Sequence, residues 1–241
     1  MTPAILVRGL RKSFDLSLSG AGSLKTAALW WRRRHVERLE VLRGIDLEIP
    51  RGQCAALVGR NGAGKSTMLS ILARVYLPTA GEVRVDGRVA PLLELGAGFH
   101  PDLTGAENVL FNAMILGLSR AEASDRVGAI MEFSGVGKFA GAPVRTFSSG
   151  MLARLGFAVA VHVDADILVV DEVLAVGDAE FEAKCYAKIS EFREGGGTIV
   201  FVSHDLEAVE RVADRCVWLE AGQVVADGAP AEVLAAYRAA V

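Results

Sequence analysis

Cysteine is scarce in this chain. Its three residues, Cys54, Cys185 and Cys216, are scattered and odd in number, so they offer neither a disulfide framework nor metal-ligand spacing. Buried free thiols in a reducing compartment are the expectation. Long apolar runs are missing too. Although 51% of the 241 residues are hydrophobic, no stretch reaches the roughly 18 apolar residues needed to span a bilayer. Arg8, Arg11 and Lys12 also interrupt any leader-like run at the N-terminus, which argues against a signal peptide. Positive charge is not in excess: the net charge is −3, so no nucleic-acid partner is expected. Glutamine is rare, with only Gln53 and Gln223. What remains is a soluble, cytosolic chain of a size for one large α/β domain, or one with a subdomain.

The most informative segment present is Gly59-Arg60-Asn61-Gly62-Ala63-Gly64-Lys65-Ser66-Thr67, which fits the phosphate-loop pattern G-x-x-x-x-G-K-[ST]. The apolar residues 54–58 before it have strand length, and residues 68–73 after it read as the start of a helix. A strand feeding a glycine-rich turn that opens a helix aims several backbone N–H groups and the positive helix end at one spot. Gly59, Gly62 and Gly64 let the backbone wrap phosphates, Asn61 lies within the turn, Lys65 reaches the β/γ-phosphates, and the Ser66 hydroxyl, followed by Thr67, suits Mg²⁺. The segment predicts binding of a nucleoside triphosphate.

Asp166-Ile167-Leu168-Val169-Val170-Asp171-Glu172 reads as an apolar strand ending in two acids. A carboxylate at such a strand end holds Mg²⁺ in phosphate-loop enzymes, which assigns Asp171. Glu172, next in line, is placed to act as general base on a water attacking the γ-phosphate. Alone, the pair would read equally as solvated acids capping a strand. About twenty residues upstream, Ser148, Ser149 and Gly150 precede a helix running through Leu152, Leu155 and Val159. A helix N-terminus dressed with hydroxyls and a glycine suits a second phosphate contact or an ordinary cap.

The rest of the chain is organised around these segments. Residues 4–7 and 41–49 read as strands, with residues 16–40 of different composition between them. Asp86-Gly87 predicts a hairpin joining residues 83–85 to 88–93. A helical pattern runs from 104 to about 163. Residues 167–170 and 199–202 are β-branched runs suited to a buried parallel sheet. A turn at Gly222 and a terminal helix from Pro230 follow.

Taken together and in this order, the phosphate loop, the S-S-G-M stretch and V-V-D-E resemble an ATPase subunit of an ABC transporter. Val176-Gly177-Asp178 stands where that family has its D-loop, placing Asp178 at the nucleotide. Val202-Ser203-His204-Asp205 ends the next strand, and His204 stands where the family has its switch histidine. Phe14 lies where an aromatic ring stacks on adenine. The resemblance implies a phosphate-loop α/β fold with a mixed core sheet, an N-terminal antiparallel β-subdomain and a helical subdomain. It also implies ATP and Mg²⁺ as cofactors and a head-to-tail dimer closed by ATP.

The departures from the pattern point to a branch. Neither glutamine can be the family's Q-loop residue; Glu94 is the nearest polar candidate there, and a carboxylate could meet Mg²⁺ but cannot donate as an amide does. The stretches from Leu93 to Asn108 (L-E-L-G-A-G-F-H-P-D-L-T-G-A-E-N) and from Phe147 to Leu155 (F-S-S-G-M-L-A-R-L) resemble exporters of O-antigen, capsular polysaccharide and teichoic acid. That implies a six-span membrane permease as partner, a lipid-linked glycan as cargo, and a peripheral place on the cytoplasmic face of the inner membrane. Between residues 16 and 40 five basic residues stand against Glu37 and Glu40, and Trp30-Trp31 precede Arg32, Arg33 and Arg34. An amphipathic helix of that kind suits a lipid boundary or packing on its own domain. The chain is thus expected to be a single domain over 1–241, with this insert, the helical subdomain, and no C-terminal carbohydrate-binding domain. The rival readings are an exporter of lipid or drug, or an ABC protein outside transport.

Overall fold

The computed structural model describes residues 2–17, 36–93, 96, 98–171 and 177–240. Strand β1 (Ile5–Ser17) pairs antiparallel with β2 (Val36–Ile49), from Ile5 opposite Ile49 to Ser17 opposite Val36. This ladder is longer than the sequence reading and claims both flanks of the 16–40 segment. Cross-strand ion pairs tie its outer part, Arg11 with Glu40 at 3.0 Å and Arg38 with Asp15 at 3.4 Å. Trp30, Trp31 and the three arginines after them lie outside the described residues.

Strand β4 (Ala80–Val85) covers the other side of β1, giving a three-stranded antiparallel sheet in the order β2-β1-β4. The expected hairpin at Asp86-Gly87 is wrong. Strand β5 (Val89–Leu92) leaves this sheet and pairs in parallel with β6 (Ile167–Asp171) of a second one. Asp166 redirects the chain: its Oδ2 accepts from the Arg88 N–H at 2.7 Å. Gly87, at φ 134, passes so close that a β-carbon there would lie 2.7 Å from that of Asp166. A side chain distant in sequence overrides the local turn signal.

The second sheet has six strands in the order β5-β6-β7-β3-β8-β9, with β3 (Cys54–Val58), β7 (Thr198–Val202), β8 (Arg215–Glu220) and β9 (Gln223–Gly228). Its strands are parallel except β9, which returns through a two-residue turn at Ala221-Gly222 with both φ angles positive. The central runs are apolar throughout because both faces are covered. Ala55, Leu57, Ile167, Val169, Val200 and Val217 face a core shared with β1, β2 and helix α1 (Lys65–Leu72). Cys54, Ala56, Val58, Leu168, Val170 and Phe201 face a core under the other helices.

Those helices are α2 (Gly105–Ile115), α3 (Arg120–Phe133), α4 (Ser149–Ala160), α5 (Ala179–Glu194), α6 (Leu206–Val212) and α7 (Pro230–Ala240). Helices α2 and α3 start at capping boxes, Thr104 with Glu107 and Ser119 with Glu122, each pair satisfying two otherwise orphaned N–H groups. Asn108 is fully buried; its amide donates to the carbonyls of His100, Leu103 and Thr104 and accepts from the His100 N–H, fixing the entry to this helical region. All three cysteines are buried and free.

Candidate functional site

The phosphate-loop segment joins β3 to α1, as its flanks require. Gly59 adopts φ 147, and a β-carbon there would overlap the Leu219 carbonyl oxygen of β8; no other residue fits. Gly64, at φ 103, caps α1, whose first turn contains no acidic residue. The N–H groups and positive end of the helix therefore face the loop without a competing carboxylate. Lys65 is buried, and its ammonium donates to the carbonyls of Gly59 at 2.7 Å and Arg60 at 3.1 Å. Ser66 is exposed at the mouth.

A cleft of about 640 Å³ opens over this loop. Asn61, Gly62, Gly64, Lys65, Ser66 and Thr67 line it from the loop, and Asp171 at the end of β6 and His204 just beyond β7 line it from the neighbouring sheet edge. Strand register explains the convergence: Val202 of β7 pairs with Asp171 of β6 on one side and with Leu57 of β3 on the other. Three parallel strands therefore end level beside the loop, where open α/β sheets bind ligands. His204 follows two residues after β7 and is exposed to the cleft.

The cleft's apolar wall was not anticipated. Leu39 and Val41 of β2 line it with Leu93 and Val202. Their alternate spacing on one strand face was a usable signal, but the strand expected over 41–49 includes Val41 and stops short of Leu39. Phe14 is the direct cross-strand partner of Leu39 but does not itself line the cleft. Its ring meets Tyr76 edge-on at 5.5 Å, with Lys12 Nζ 4.7 Å above its centre.

Three further residues anticipated at the nucleotide stand together at the start of α4, outside this cleft. Ser148 caps the helix, accepting from the Met151 N–H at 3.2 Å. Ser148 and Ser149 are exposed, and beside Gly150 the nearest atom to a β-carbon would be Ser148 Oγ at 3.9 Å. Asp178 caps α5 and is likewise exposed. The Phe181 N–H and then the Arg154 guanidinium hold its carboxyl below the usual range. Glu172 and Glu94 lie outside the described residues.

As for a metal, no cluster of three or more His, Cys, Asp or Glu exists among the described residues. Ser66 and Asp171 nonetheless present two oxygen donors to the same cleft. A Mg²⁺ shared with phosphates needs only one or two protein oxygens, so this donor set fits it.

Comparison with known proteins gives a consistent picture. A family profile described as ABC transporter matches residues 42–175. The chain is 47% identical to the O-antigen export system ATP-binding protein RfbB of Myxococcus xanthus, over 99% of its own length and 56% of that protein's. It is 51% identical to the protein of the same name from Klebsiella pneumoniae, over 82% of this chain and 80% of that one. The teichoic acids export ATP-binding protein TagH of Shouchella clausii is 38% identical, over 98% of this chain and 66% of its own. The chain thus spans little more than half of the Myxococcus relative. Among solved structures, the ATP-binding subunit of an ABC transporter superposes with a TM-score of 0.76 at 22% identity, covering 98% of this chain and 93% of that one. A dimeric ATP-binding cassette, MJ0796, bound to ADP and Pi superposes with a TM-score of 0.74 at 21% identity, covering 94% and 98%. At these identities the likeness establishes the fold.

Proposed function

Because this chain belongs to the ABC transporter family, we propose that it is the ATP-hydrolysing subunit of an exporter for a lipid-linked cell-surface polysaccharide, with O-antigen the first candidate. The observation that carries the reading is the cleft where the phosphate loop, Asp171 and His204 meet. The relatives named for O-antigen and teichoic acid export direct it to glycans rather than lipids or drugs.

The backbone N–H groups of the loop and the N-terminus of α1 receive the β- and γ-phosphates of ATP, and Lys65 neutralises them. Leu39 and Val41 offer an apolar wall toward the base, beside Phe14. Asp171 and Ser66 would hold Mg²⁺, which supplies charge screening for the phosphate chain. Glu172, next after Asp171, takes the proton of the attacking water, and His204 orients the γ-phosphate end. The exposed N-terminus of α4, open beside Gly150, faces the triphosphate of a second copy arranged head to tail. Each ATP then lies between two helix N-termini, neither of which neutralises it alone, and hydrolysis releases the pair.

A groove of about 380 Å³ supports docking of a separate six-span membrane subunit. Tyr76, Leu93, Phe99, Ile115, Leu116 and Val159 line it, and Val75 and Ile115, both in its lining, are exposed large apolar side chains. No helix among the described residues is long and apolar enough to cross a membrane, so the proposed association with the inner membrane is peripheral. Deleting the gene in its own organism tests the export reading. Lipid-linked polysaccharide should accumulate on the cytoplasmic leaflet and disappear from the surface; unchanged surface glycan refutes it.

A further inference from the structure

One carboxylate joins the exposed end of α5 to the middle of α4. Asp178 Oδ1 accepts from the Phe181 N–H at 3.0 Å and so caps α5. Its Oδ2 accepts from Arg154 Nη2 at 2.8 Å, and Arg154 belongs to α4, the helix whose first residues follow the Ser148 cap. The arginine is held on other sides as well. Its guanidinium carbon lies 5.3 Å from the centre of the Phe181 ring, and a β-carbon at Gly177 would come within 2.7 Å of its Nε. Phe181 is itself buried, edge-on to Phe157 at 6.1 Å and to Phe133 at 5.8 Å. The platform under the guanidinium is therefore core, while the carboxylate above it is surface.

We propose that Arg154 is a positioning residue that sets the spacing between the N-termini of α4 and α5, so that Ser148, Ser149, Gly150 and Asp178 meet a second copy's triphosphate as one rigid edge. The inference rests on the ATP-closed dimer of the preceding reading. A planar guanidinium can stack on Phe181 and donate to Asp178 at once, in a fixed direction, which a lysine cannot. A purely stabilising role is a poor account of this pair. The side chains are 28% and 63% exposed, and ion pairs of that exposure contribute little to folding. What such a pair does provide is geometry, and small displacements of groups around a reacting phosphate are costly in rate.

The test compares Arg154→Ala, Arg154→Lys, Asp178→Asn and the Arg154→Ala/Asp178→Asn double variant of the full chain. Asparagine caps helices about as well as aspartate, so Asp178→Asn removes the ion pair and keeps the cap. Four quantities are measured: kcat, ATP-dependent dimerisation in a Glu172→Gln background by light scattering, binding of a fluorescent ATP analogue to the monomer, and melting temperature. Arg154→Ala and Asp178→Asn should each lower kcat and weaken the dimer by about 10–100-fold, and the double variant should be no worse than either single. Arg154→Lys should recover part of the loss, while monomer binding and melting temperature stay at parent values. Parent-like kcat in Arg154→Ala, additive losses in the double variant, or losses that track melting temperature would each overturn the inference alone. If the parent chain forms no dimer with ATP, the functional reading falls and the inference falls with it.

Discussion

The Lys65 ammonium donates to the carbonyl oxygen of Gly59 at 2.7 Å, so the charged residue of the phosphate loop is tied back to the residue that opens it. A cation held under its own loop, buried but bonded to carbonyls, needs little reorganisation to meet a triphosphate entering above it.

Lys65→Ala removes that charge and leaves the backbone cradle. Charged hydrogen bonds contribute about 1.5–3 kcal/mol each, so ATP affinity should fall by roughly 10- to 150-fold, with hydrolysis lost accordingly. A direct binding measurement that returned parent affinity would contradict the assignment of the loop.

Glu172→Gln has the opposite profile. The amide keeps size and polarity but cannot take a proton, so turnover should drop about 10²–10⁴-fold while ATP still binds. ATP should then hold a lasting dimer, visible by light scattering. Near-normal turnover would move the general base elsewhere.

Two glycines of the same loop should separate in stability. At Gly59 a β-carbon would overlap the Leu219 carbonyl, whereas at Gly62 nothing lies within 4 Å and only the positive φ of 83 opposes a side chain. Gly62→Ala should therefore cost about 1 kcal/mol, and Gly59→Ala about 3 kcal/mol or more from overlap added to strain. For a chain of this length the second change lowers the melting temperature by about 6–12 °C. Equal melting temperatures would mean that the loop does not pack against β8 as described.

The cysteines give a chemical check on the core. Burial pushes Cys54, Cys185 and Cys216 up to about 12, so all three remain protonated thiols at neutral and mildly alkaline pH. Because the folded values lie above the unfolded value of about 8.5, the stability this contributes is complete below about pH 8.5. It is lost as pH rises toward 12. Native protein at pH 8 should resist alkylation, and denatured protein should take up three equivalents. Rapid native labelling would show that a thiol is not buried.

Much of this architecture was legible because its signals are local. The apolar runs of β3, β6 and β7, the loop glycines and the turn before β9 each carry their own instruction within a few residues. The failures have a common cause. Gly87 reads as a hairpin until Asp166, 78 residues beyond Arg88 in sequence, captures the Arg88 N–H and sends β5 into the other sheet. The outer parts of β1 and β2 are rich in charge, and only the fold shows those charges paired across the ladder, Arg11 with Glu40 and Arg38 with Asp15. The strand expected over 41–49 therefore includes Val41 but misses Leu39, its companion in the cleft's apolar wall. The grouping of Arg154, Asp178 and Phe181 is tertiary, and nothing in local spacing announces it.

The segment between β1 and β2 supplies the last prediction. Trp30 and Trp31 stand beside Arg32, Arg33 and Arg34, and a basic aromatic stretch gains most free energy where an apolar layer meets negative charge. Only the assembled transporter in its membrane offers that boundary. Replacing both tryptophans with alanine and neutralising the three arginines should leave ATP binding by the isolated subunit intact, since the change touches no residue of the phosphate loop. Glycan export, or its coupling to hydrolysis, should fall in the assembled complex. If the segment instead packs on its own domain, loss of buried tryptophan surface, about 2–3 kcal/mol for one ring, will lower the melting temperature of the isolated subunit. Export would then decline only in proportion to folded protein. Melting temperature and export measured on the same variant therefore decide between a membrane-facing and a domain-facing segment.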